Sequence, residues 1–194
     1  MQIRFTALAL AVLGFALLPA NAQHTADSAK PAGAFQQDFL LPFEEAESKV
    51  LNLAKAIPAE RYSWRPAPGV RSVGEVYMHI AGGNRLLLMF AGAAPAQAEL
   101  VKMIRGNEDR EKTITVKSKV VEQLEASFKA VHEALAKATE VDLSKPVKFF
   151  DSKTTLRGIF LVISNHVSEH LGQSIAYSRM NNIIPPWSRG PAGK

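Results

Sequence analysis

Apolar residues recur at three- and four-residue steps in four long stretches of this chain, and that period predicts four amphipathic helices. The first, about Asp38 to Ile57, puts Phe43, Ala46, Val50, Leu53 and Ile57 on one face. Pro42 is tolerated in its first turn, and Pro58 ends it. The second opens on Ser72-Val73-Gly74-Glu75, the spacing of a capping box, after which Val76, His79, Gly83, Leu86 and Phe90 share a face. The third, about Lys119 to Thr139, carries Val121, Leu124, Phe128, Val131 and Leu135. The fourth, about Thr155 to Asn181, carries Leu156, Ile159, Phe160, Ile163, Val167, Leu171 and Ser174, and Pro185-Pro186 closes it.

The stretches between are polar or rich in proline. Residues 92–118 predict a short helix, about Ala96 to Arg105, followed by a mobile charged loop. The run EVDLSKPVKFFDSKT reads as an irregular connection, with no strand alternation long enough to count. The expected fold is therefore all-α, a four-helix bundle with a short extra helix or loop between helices 2 and 3. It spans residues 37–187, ahead of a flexible tail at 188–194. Gly82 and Gly83 inside the second helix each cost about 1 kcal/mol relative to alanine, so close packing is the expected reason for them.

The N-terminus does not belong to that fold. Residues 1–22 read as a signal peptide: Arg4, an apolar run through Leu18, then Ala20-Asn21-Ala22. Cleavage near Ala22-Gln23 predicts a periplasmic or secreted protein that has no membrane segment afterwards. Residues 23–36 follow as a flexible leader. About 170 residues remain, enough for one domain with a full core. The chain has no cysteine, which removes disulfides, thiolate ligands and a cysteine nucleophile. A formal charge of +5, dispersed among acids, lacks the aromatic-interleaved basic strip of a single-strand binder, so no nucleic-acid partner is expected.

The candidate chemistry lies with histidine. His166 and His170 are one helical turn apart, so both rings leave the same face, and both fall within an apolar arc flanked by Gln173 and Tyr177. A lone histidine on such a face is usually a satisfied core residue. Two inward rings each need a partner in low dielectric, and one shared metal serves both. His79, centred on the face of the second helix, supplies a third imidazole from a facing helix. The pair lacks the internal glutamate of HExxH metalloproteases. His132 sits at the rim of its stripe and reads as a surface or half-buried residue, and His24 as a solvated one.

SVGEVYMHI, followed far downstream by HVSEHLGQSIAYSRMNNIIPPWS, resembles the DinB family of DinB/YfiT-like metalloenzymes over about Asp38 to Trp187. That resemblance implies a four-helix bundle binding one divalent metal through His79, His166 and His170. The ion is open among zinc, nickel, iron and manganese. Glu75, Glu169 and Gln173 stand close enough in sequence to orient an imidazole from behind. Three neutral ligands leave the ion its full charge, which suits Lewis-acid chemistry, so the leading expectation is an exported metal-dependent hydrolase. Two alternatives stand beside it. One is a thiol-dependent transferase or isomerase of the same family, against which export weighs because small thiols abound in reducing compartments. The other is a non-enzymatic metal-stabilised binding protein, which a fourth, carboxylate ligand would favour. The small-molecule substrate is unspecified. Bundles of this kind are often homodimers, and Gly82 and Gly83 offer a surface for close contact between copies.

Overall fold

The computed structural model describes residues 33–92 and 95–190. The expected signal peptide, His24 and nearly all of the leader lie outside these residues. In chain order the helices are α1 (Ala34–Ala56), α2 (Val73–Leu88), α3 (Gln97–Thr113), α4 (Lys117–Lys137), the single turn α5 (Glu140–Leu143) and α6 (Leu156–Met180). Among them, α1, α2, α4 and α6 are the four predicted from periodicity. They pack as a bundle, with α2 against α4 and α6 and α1 against α6 and α4. No helix of the described residues is long and apolar enough to cross a membrane.

The core follows the predicted stripes. Phe43, Val50 and Leu53 of α1, Leu124, Phe128 and Val131 of α4, and Ile159, Ile163 and Val167 of α6 are fully enclosed. Each large side chain so buried contributes about 1.5–3 kcal/mol relative to exposure. Aromatic rings knit the end formed by α1: Phe39 stacks on Phe43 at 4.8 Å, Phe160 meets Phe39 edge-on at 5.6 Å, and Phe128 meets Phe43 at 5.8 Å. These contacts also explain why α1 starts at Ala34, before the predicted Asp38 and inside the expected leader. Phe39 is buried, and Gln36 is pinned by its amide donating to the Ala138 carbonyl at 2.9 Å.

Helix α2 departs from a one-sided reading. It has neighbours on several sides, so Tyr77, Ile80, Ala81 and Asn84 are as enclosed as Val76. On the predicted face Val76 and Phe90 are buried, while His79, Gly83 and Leu86 between them are only half-buried. Gly82 and Gly83 are covered within the chain. A Cβ on Gly82 would press on Asn107 of α3, whose amide donates to the Gly82 carbonyl at 3.1 Å. A Cβ on Gly83 would collide with the His166 ring. The small residues admit neighbours from the same chain.

Two other expectations need correction. Residues 106–113, read as a mobile charged loop, are the second half of α3. Leu100 is the one buried apolar residue of α3, so no stripe betrays the helix. It is held by polar tethers to α2 and α4: Asn107 on Gly82, Glu111 on His79, and Arg110 on Gln123. The connection before α6 is also ordered, as a hairpin of β1 (Pro146–Phe149) and β2 (Ser152–Thr155), with Phe149 opposite Ser152. Four-residue strands are too short for alternation to register. The turn places Phe150 at φ 52, a region that disfavours aromatic residues, and ring contacts with Phe149 (4.8 Å) and Phe90 (5.6 Å) hold it there.

Candidate metal centre

The three histidines nominated by spacing come together. His79 projects from the middle of α2 toward α6, where His166 and His170 stand one turn apart. Ring centroids are 5.1 Å (His79 to His166), 4.7 Å (His79 to His170) and 4.5 Å (His166 to His170). One ring nitrogen from each lies within 4.8 Å of the others, and among the described residues this group contains no fourth ligand.

Hydrogen bonds behind the rings fix which nitrogens face inward. His79 Nδ1 lies 2.7 Å from Glu111 Oε1; a carboxylate only accepts, so Nδ1 carries a proton and, in the neutral ring that metal binding requires, Nε2 is the free nitrogen. His170 Nδ1 donates to Gln173 Oε1 at 2.8 Å, which leaves its Nε2 bare as well. Gln173 is braced in turn, its amide donating to the Tyr177 hydroxyl at 3.0 Å. His166 Nε2 faces His79 Nε2 at 3.3 Å. Two nitrogens sharing one ion at tetrahedral angles, each about 2.05 Å from it, would stand about 3.3 Å apart. His166 Nδ1 is buried and has no hydrogen-bond partner, so the protein satisfies this ring only on its Nε2 side. The donor set fits a divalent ion.

Electrostatics favour the ligating form. Burial, reinforced by the neighbouring rings, pushes His166 down to about 3. Burial also lowers His170, although its bond to Gln173 opposes the shift. Imidazoles must be neutral to bind metal, and burial favours that form for His166 and His170.

Of the three residues nominated to orient a ring, the structure places one in that role, Gln173. Glu75 is engaged at the start of its helix: Ser72 Oγ accepts from its backbone N–H at 3.3 Å and its carboxylate accepts from Ser72 N at 2.7 Å. Its other oxygen pairs with Arg65 at 2.9 Å. Glu169 is exposed. His132 lies apart from the group, half-buried, with Nε2 2.6 Å from Glu47. The acid that does orient a ring is Glu111, which sequence reasoning missed inside the supposed loop. One oxygen takes His79 and the other takes Arg71 Nε at 2.7 Å. Burial tends to raise the Glu111 pKa, but the bonds and charges of His79 and Arg71 outweigh it and hold the carboxyl below the usual range. The only signal in the sequence was four-residue spacing from Asn107, itself without meaning until α3 is known to be helical. Beside His79 and His166, a cavity of about 290 Å³ opens between α2, α3, α6 and the hairpin.

Comparison with known proteins agrees with this architecture. The crystal structure of a DinB-like protein from Bacillus cereus superposes with a TM-score of 0.63 at 20% identity, covering 77% of this chain and 95% of that one. An uncharacterised protein from Escherichia coli gives 0.60 at 14% identity, over 79% of this chain and 98% of that one. A DinB-like protein from Bacillus subtilis gives 0.50 at 21% identity, over 76% and 93% respectively. At such identities the likeness concerns the fold. No curated protein matches the chain. Residues 42–174, a span that holds α2, the acid on α3 and all three histidines, match the DinB superfamily, and the chain belongs to that superfamily.

Proposed function

We propose that His79, His166 and His170 bind one divalent metal ion and that the chain is a metal-dependent enzyme of the hydrolase kind. The observation that carries this reading is the set of inward Nε2 atoms, two of them fixed by protonated Nδ1 atoms bound to Glu111 and Gln173. When bound, the ion would act as a Lewis acid toward water and a carbonyl or similar group. The protein's own part is orientation. Glu111 and Gln173 orient two rings through their Nδ1 atoms, Gly83 makes room for the third, and burial disfavours protonation of His166 and His170. Three ligands, with no carboxylate closing the group among the described residues, favour an open coordination position over a structural metal site.

The test is metal analysis of protein purified without an affinity-tag metal, then an ester and amide panel run before and after chelation. A stoichiometric ion, with cleavage lost on chelation and restored by the metal, is the expected result. Retention of full activity by chelated protein would overturn the reading. We also propose export, supported by Arg4, the apolar run and Ala20-Asn21-Ala22. Intact mass of the periplasmic fraction should give a chain starting at or near Gln23, and a full-length cytoplasmic chain would end that proposal.

A further inference from the structure

The cavity beside the histidines has a chemical character of its own. Its walls are Leu86 and Leu87 of α2, Ile104 of α3, Val162 of α6 and Phe149 of the hairpin. The polar residues among them lie toward one side: Glu111 has both oxygens in use, Asn107 donates to the Gly82 carbonyl, Arg71, bound to Glu111 through Nε, is 40% exposed, and Glu108 is exposed. A sugar or a charged group placed against the apolar wall of Leu86, Leu87, Ile104, Val162 and Phe149 would lose water without gaining matched partners there. An apolar group would lose nothing. A dry apolar cavity of about 150 Å³ accommodates a benzene ring. At about 290 Å³ this one has room for about twice that, on the order of ten to twelve non-hydrogen atoms.

We propose that the substrate is an ester or amide with an uncharged alkyl or aryl chain of about this size. The chain would lie against Leu86, Ile104, Val162 and Phe149, with the bond to be cleaved at the histidines. This inference rests on the proposed open metal site and adds to it the substrate class. Phe149 is one wall that limits chain length. It comes from a separate element and is braced by Phe90 at 5.1 Å, so it forms a wall that the bundle alone would not supply.

The experiment uses zinc-loaded protein of verified metal content and straight-chain alkyl hydroxamates, from acetohydroxamate to dodecanohydroxamate, with binding read by calorimetry. The hydroxamate head reports on the open metal position and the tail on the cavity. Affinity should rise about three- to fourfold per methylene up to eight to ten carbons and then level off. A terminal carboxylate on the octanoyl tail should abolish the gain. In Val162→Phe the optimum should shift to shorter chains, and in Phe149→Ala to longer ones. If acetohydroxamate and all longer members fail to bind, the open metal site and this inference fall together. If all bind with no dependence on chain length, the inference alone is overturned. The wild-type series decides the matter even if a variant does not fold.

Discussion

His79 Nδ1 and Glu111 Oε1 meet at 2.7 Å across 32 residues of chain, and that contact joins α3 to the candidate metal centre. The carboxylate has two duties: it fixes the His79 tautomer, and through Arg71 it ties α3 to the entry of α2. A carboxylate behind a metal-binding imidazole both orients the ring and makes it a better donor. The same group therefore bears on helix packing and on ligand geometry, and the two effects can be separated by measurement.

Glu111→Ala should weaken metal affinity by about 10–100-fold, in line with removal of the acid behind a ligating histidine. Glu111→Gln should do less harm to affinity, since an amide oxygen still accepts from Nδ1. Competition titration with a chromophoric chelator reads both. If melting temperature falls in Glu111→Ala while affinity is unchanged, Glu111 serves only to tether α3.

Replacing His79, His166 or His170 singly by alanine should reduce bound metal well below one equivalent. His132→Ala should leave metal content at the wild-type value, because its ring pairs with Glu47 away from the group. The loss of that half-exposed contact should lower stability by no more than about 1 kcal/mol. Elemental analysis of the four variants side by side settles the ligand set, and full metal content in His166→Ala would refute it.

Gly83→Ala is a sharper test of packing. Alanine raises helix propensity by about 1 kcal/mol, so an exposed glycine would be improved by the change. Here the added Cβ meets the His166 ring, which must shift away from its place beside His79 to make room. The variant should keep its helical circular dichroism and lose metal affinity. Wild-type affinity in Gly83→Ala would show that the ring is not held where it stands.

The pH dependence of the metal-free protein has a definite sign. His166 is held at about 3 by burial and His170 is also lowered, against an ordinary value of about 6.5 for each in the unfolded chain. Below pH about 6.5 the unfolded chain takes up protons that the folded one refuses. Stability present above that pH is thus lost as pH falls, for His166 down to about 3 at up to about 1.4 kcal/mol per pH unit, and His170 adds a loss of the same sign. Urea unfolding of chelated protein at pH 7.5 and 5 measures the slope. His166→Gln, with no titrating ring there, should flatten it, and an unchanged slope in that variant would show the burial argument to be mistaken.

The amino-acid sequence determined a good deal about this protein. Four helices were legible because each must bury a stripe against its neighbours, and stripes such as Leu124-Phe128-Val131 repeat with the helical period. The capping box at Ser72 and Glu75 and the same-turn pairing of His166 with His170 are local, so spacing alone carries them. Tertiary structure decided the rest, because the deciding contacts are long-range and polar. α3 buries only Leu100 among its apolar residues, its hydrogen bonds to Gly82 and His79 leave no hydrophobic signature, and its acid reaches His79 only once both helices are packed. The hairpin is too short for its alternation to be read, yet it sets Phe149 against the cavity. The glycine pair could have served a contact between two copies or one within the chain. Only the position of the His166 ring over Gly83 and of Asn107 over Gly82 showed which neighbour each glycine admits.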